Sequence, residues 1–82
     1  MISIKILGTG CKRCNTLELK VKELVLKNNI DASVEKVTEI DKMIEYGIIA
    51  TPGLVINEKV VSSGIIPKED KILEWLKKNQ DE

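Results

Sequence analysis

One stretch limits the folds open to this chain more than any other: Gly8-Thr9-Gly10-Cys11-Lys12-Arg13-Cys14. It lies between an alternating apolar pattern, Ile2 to Leu7, and a helical pattern that runs to about Asn28. It holds both cysteines of the protein. A Cys-x-x-Cys at a strand-to-helix junction is well placed for thiol chemistry. The helix start supplies unpaired backbone N–H groups and the positive end of a dipole, and both favour a thiolate. The glycines let the backbone bend and leave the first sulfur open, while Lys12 and Arg13 set two cations beside it. Together these features favour the thiolate of Cys11, which is the reactive form.

The rest of the chain reads as a short series of elements. Leu17, Val21, Leu24 and Val25 recur at helical spacing with Leu26 beside them, and Asn28-Asn29 ends that helix. Ala32 to Val37 reads as a second strand, with Val34 inward. Thr38-Glu39-Ile40-Asp41 resembles a capping box, with Asp in place of the usual Glu or Gln, ahead of a short helix from Ile40 to Tyr46 closed by Gly47. After Thr51-Pro52-Gly53, the runs Leu54-Val55-Ile56 and Val60-Val61 flank Asn57-Glu58-Lys59 as a hairpin. Pro67 marks the start of a last helix, with Glu69 and Asp70 at its positive end and Lys77 and Lys78 at its negative end. Ile72, Leu73 and Leu76 form its buried stripe, with Trp75 partly covered. The order is βαβαββα, an α/β chain with a mixed four-stranded sheet flanked by three helices, expected to form one domain over residues 1–82.

Composition narrows the function. The 13 basic and 13 acidic side chains balance without a basic run, which disfavours nucleic acid and anionic membrane as partners. Histidine is absent, so the commonest acid–base group and a common metal ligand are missing. No secretory signal is read at Met1-Ile2-Ser3-Ile4-Lys5 and no run is long enough to span a bilayer, so a cytoplasmic address is expected. In that compartment a pair of cysteines is catalytic or metal-binding rather than a structural staple.

A Cys-x-x-Cys after the first strand, a Thr51-Pro52 about 40 residues on, and a closing helix resemble the thioredoxin fold. The likeness is to the small, glutaredoxin-sized redox-active disulfide proteins of the thioredoxin superfamily, and it covers nearly the whole chain. The resemblance implies that Pro52 is a cis-proline lying against the disulfide and that the backbone at Thr51 pairs with a substrate segment as an added strand. It also implies that Cys11 is the exposed nucleophile and Cys14 the shielded resolving thiol. Gly10 stands where thioredoxins carry Trp, and Lys12-Arg13 where they carry Gly-Pro. Ungapped counting sets Lys5 at the position of a buried acid six residues before the first cysteine.

The function expected is therefore thiol–disulfide exchange by a Cys11/Cys14 couple, without a cofactor or a bound metal. Thr51, Pro52, Gly10, Lys12 and Arg13 are the substrate-binding candidates. The expected partners are disulfide-containing substrates and an upstream thiol reductase, with the chain a monomer. The alternative from another class is a Cu(I) carrier, because βαββαβ domains of that type also place Cys-x-x-Cys after the first strand and soft thiolates suit Cu(I). A structural zinc site needs four ligands, and one copy of this chain supplies two cysteines and no histidine. Lys5 reads as a half-exposed strand residue rather than a proton carrier, and Thr9 as a loop residue rather than a donor to sulfur.

Overall fold

The computed structural model describes residues 2–8, 12–48 and 50–80. The elements run β1 (Ile2–Leu7), α1 (Lys12–Lys27), β2 (Ala32–Val37), α2 (Ile40–Glu45), β3 (Gly53–Ile56), β4 (Lys59–Ser63) and α3 (Glu69–Gln80). This is the expected βαβαββα order. The strands form one sheet in the order β2-β1-β3-β4. β1 pairs with β2 in parallel, Ile2 opposite Ala32, and with β3 antiparallel, Ile4 opposite Ile56. The parallel pair follows from the α1 crossover, and the tight turn between β3 and β4 makes that neighbouring pair antiparallel as well.

Alternation along β1 feeds two cores. Ile2, Ile4 and Ile6 face α1 and α3, where they pack with Leu17, Val21, Leu54, Ile56, Ile72 and Leu76. Leu7 faces α2 and packs with Val55, Met43 and Ile48. Val34 and Trp75 pack against the larger core as expected, while Leu73, expected in the buried stripe of α3, is only partly covered. Leu26 departs from expectation and is 79% exposed. At roughly 100° per residue it lies about 180° around the helix from Leu17, away from the stripe it follows in sequence.

Two helices end by the same device. Asn29, at φ 52°, donates its N–H to Leu26 O, and Ile30 N–H reaches Val25 O at 3.0 Å. Gly47, at φ 75°, donates to Ile44 O, and Ile48 N–H reaches Met43 O at 3.0 Å. Each is a Schellman closure, and each delivers an isoleucine into a core. The helix starts are less regular. The capping box expected at Thr38 does not form: the N-cap is Glu39, extended at φ −82° and ψ 126°, with no side-chain cap bond. α2 begins one residue later than the box requires, which moves Asp41 out of the position that reaches back to the cap.

The hairpin turn is two residues long, not three. Asn57 and Glu58 both take positive φ, 50° and 68°, and Lys59 already pairs with Ile56. Positive φ at both positions matches the twist of the flanking strands, so the shorter turn is favoured. Asn57 Oδ1 accepts the Ser3 N–H at 2.9 Å and ties the turn to β1. An extra residue in β4 opposite the Leu54–Val55 step shifts the register along this edge strand. Among the described residues no helix is long and apolar enough to cross a membrane.

Candidate active site

The site lies at the C-terminal end of β1, where the chain turns into α1. Gly8 follows the strand and donates its N–H to Val37 O at 2.9 Å. Cys14 sits in the first turn of α1 and is fully buried. The two residues touch so closely that a Cβ on Gly8 would overlap Cys14 Sγ and come within 2.9 Å of Cys14 Cβ. The same Cβ would stand 4.0 Å from Thr51 Cβ. Gly8 therefore leaves the space in which the second cysteine sits, beside the Thr51-Pro52 turn. The sequence assigns the glycines a bending role and misses this contact. The available signal is a glycine ending an otherwise branched strand, which often marks a close backbone approach.

The Thr51–Pro52 peptide is cis. Pro52 is buried and Thr51 half-buried. Pro52 O accepts the Gly64 N–H at 2.9 Å, so the turn is tied to the corner that follows β4. Gly64 takes φ 79°, where a side chain is strained, and a Cβ there would press on Ala50 Cβ at 3.0 Å.

Lys12 and Arg13 are exposed at the start of α1. The guanidinium of Arg13 donates from Nη2 to Gly64 O at 2.8 Å. Of the candidates named from sequence, the structure brings Cys14, Arg13, Thr51 and Pro52 to one corner. Thr9, Gly10 and Cys11 lie outside the described residues. Among the described residues there is no group of three or more side chains able to hold a metal ion.

Lys5 has a different setting. Its Nζ donates to Glu58 Oε1 at 2.8 Å and to Tyr46 Oη at 3.0 Å, and Tyr46 Oη donates to Glu58 Oε2 at 2.7 Å. Nζ also stands 5.6 Å from the Tyr46 ring centroid. The Glu58 hydrogen bond first, and the Tyr46 bond second, hold the Lys5 ammonium well above the usual lysine range. The same Lys5 bond, then that from Tyr46, lowers the Glu58 carboxyl. Lys5 is thus a committed cation, as expected of a half-exposed strand residue rather than a proton carrier. Its ties to Tyr46 and Glu58 were not legible from sequence.

Comparison with known proteins agrees with this geometry. Residues 2–77 match the family model of the thioredoxin domain. The chain is 39% identical over 77 residues to a thioredoxin of Methanocaldococcus jannaschii, covering 94% of this chain and 88% of that one. It is 38% identical over 72 residues to a thioredoxin of Methanothermobacter thermautotrophicus, covering 88% and 94%. In fold it is similar to the germline-specific thioredoxin Deadhead of Drosophila melanogaster, with a TM-score of 0.66 at 23% identity over 94% of this chain and 79% of that one.

The class so defined is the small redox proteins of the thioredoxin superfamily. This chain belongs to the thioredoxin domain family, and it is a thiol–disulfide oxidoreductase acting on protein disulfides. Thioredoxins act on disulfide substrates and are themselves reduced by a reductase. After the β3–β4 hairpin the described chain forms the helix α3, which departs from the βαββαβ order of the copper-carrier alternative.

Proposed function

We propose that Cys11 and Cys14 are the working couple, with Cys11 the attacking thiolate and Cys14 the resolving thiol. One observation carries this reading: the Cys14 side chain is buried directly beneath Gly8 and beside the cis Thr51–Pro52 turn, in the first turn of a 16-residue helix. A shielded sulfur there suits an intramolecular second step. The Cys11 thiolate attacks one sulfur of a substrate disulfide, that S–S bond breaks, and the other substrate sulfur leaves as a thiolate. The Cys14 thiolate then attacks Cys11 Sγ in the mixed disulfide. The substrate departs with both sulfurs reduced, and its two electrons have come from the Cys11/Cys14 pair, now a disulfide. A dithiol reductase restores the pair.

The substrate segment runs along the Thr51 backbone, with Pro52, Lys12 and Gly10 as its further binding residues. The N-terminal end of α1 favours the thiolate through its dipole. The protein works as a monomer in the cytoplasm, where a reductase is available to keep the pair reduced.

Trapping tests the roles. Cys14→Ser accumulates a mixed disulfide between Cys11 and insulin, seen as a covalent adduct that dithiothreitol removes. Cys11→Ser abolishes insulin reduction. Full activity in Cys11→Ser, or an adduct through Cys14, overturns the assignment.

A further inference from the structure

Arg13 stands between the two cysteines in sequence, and its expected part is that of a cation beside a thiolate or a contact for substrate. Its side chain does something more specific. Nη2 donates to Gly64 O at 2.8 Å across 51 residues of chain. The N–H of that same glycine donates to Pro52 O at 2.9 Å. One peptide corner is therefore held from both sides, by the Cys-x-x-Cys helix through its carbonyl and by the cis-proline turn through its amide.

We propose that Arg13 is a positioning residue, a latch that fixes the cis-proline turn relative to the cysteine-bearing turn of α1. The proposal rests on the couple assigned above. A protein disulfide must satisfy two constraints together: its backbone lies along Thr51 while its sulfur meets Cys11 Sγ. The separation of those two places is set by how the Thr51-Pro52 turn sits against α1, and Arg13–Gly64–Pro52 is a hydrogen-bonded path between them. Guanidinium suits this role because it is permanently charged and planar, and a charged donor strengthens its bond to a carbonyl. Gly64, at φ 79°, is the residue type that tolerates this corner, and it has no side chain of its own to hold the corner once the bond is lost. A small disulfide without a peptide segment meets only the sulfur constraint. The latch therefore matters to protein substrates and hardly at all to small ones.

Arg13→Met tests this, since it keeps the length of the side chain and removes both donor and charge. Pre-reduced protein is mixed with excess insulin, or with neutral bis(2-hydroxyethyl) disulfide, and loss of thiol is followed over a single turnover. The ratio of the two rate constants, insulin over small disulfide, is expected to fall about tenfold, within the roughly hundredfold that a misplacement of about 1 Å brings. The pH profile with the small disulfide keeps its midpoint, because the thiolate is not what changes. Amide exchange at Gly64, read by NMR, rises while that of β1 and α3 does not. If both substrates slow together, or the pH midpoint moves, Arg13 tunes the thiolate and the latch is wrong. An undisturbed Gly64 amide also overturns it. Failure of the couple is a separate result: it shows as wild-type reaction that survives Cys11→Ser, whatever Gly64 does.

Discussion

The two faces of the sheet are built on opposite plans from the same strand. On the α1/α3 face, Ile2, Ile4 and Ile6 of β1 meet a continuous aliphatic layer from β3 and both long helices. On the α2 face, the intervening residues are Ser3, Lys5 and Leu7, and only Leu7 joins a small cluster with Met43, Ile48 and Val55. Val37 and Tyr46 pack against that cluster, and beyond it polar and charged side chains take over. Lys5, Tyr46 and Glu58 form a hydrogen-bonded trio at the edge of a cavity of about 480 Å³ that charged side chains from β2 and α2 also line. The contrast teaches how a chain of 82 residues divides its apolar side chains. It concentrates them on one face, where burial scales with contact area, and closes the other with a six-residue helix and a charged clasp. The active corner lies where the two plans meet, since Leu7 and Gly8 lead from β1 into the turn that carries Cys14.

The comparison breaks if the faces contribute equally. Leu17→Ala, at a fully buried position against β1, is expected to lower unfolding free energy by about 3 kcal/mol. Met43→Ala, in the small cluster, is expected to lower it by nearer to 2 kcal/mol, because a flexible side chain in a small cluster leaves a site that relaxes more readily. Denaturant midpoints for the two variants decide the matter. Equal losses mean that α2 is as firmly seated as α1. A loss from Met43→Ala below that of ordinary surface changes means that it is barely seated at all.

Gly8→Ala sharpens the same picture at the junction. The added methyl overlaps Cys14 Sγ, so the cysteine or the first turn of α1 must shift. The overpacking is expected to cost roughly 1–3 kcal/mol by denaturant unfolding, of which part is recovered in Gly8→Ala with Cys14→Ala. The functional loss is expected to exceed the stability loss, with insulin reduction falling severely in protein that remains folded. If Gly8→Ala matches wild type in both, the contact between Gly8 and Cys14 has no part in holding the resolving thiol.

How far each face could be read in advance follows the same division. β1, α1 and α3 were legible because period two and period 3.6 patterns report burial directly, and the large core has both. The helix ends were legible because Asn29 and Gly47 are residue types that accept positive φ. The cis Thr51–Pro52 peptide was implied by family likeness, not by any local pattern. The start of α2 at Ile40 was legible, but its cap was misplaced by one residue onto Thr38, since a box of polar side chains describes several adjacent registers equally well. What stayed hidden are contacts between distant parts of the chain. Arg13 to Gly64 spans 51 residues, Lys5 to Tyr46 41 and Lys5 to Glu58 53. Periodicity carries no information about such pairs. Glu58 is the clearest instance: its place at φ 68° is one where glycine is usual, and only the partners across the turn give its side chain a reason to be there.

The smallest expected effect concerns that clasp. Glu58 has a carboxyl lowered from its ordinary value of 4.5, chiefly by the Lys5 bond and then by Tyr46, so its contribution is present above that value and is lost as pH falls through the lowered one. Lys5 is raised from 10.5, so its contribution is present below that value and is lost only in strong alkali. Between these limits the pair is fully formed. Wild type is therefore expected to exceed Glu58→Gln in urea midpoint by a small, constant margin from about pH 6 to about pH 9, and the margin is expected to close as acid protonates the carboxyl. Salt should narrow it, because both groups reach solvent. A margin that survives once the carboxyl is protonated would show that Glu58 holds Tyr46 and Lys5 by hydrogen bonding alone. The charged clasp would then be a neutral one, and the α2 face would differ from the other in apolar area but not in kind.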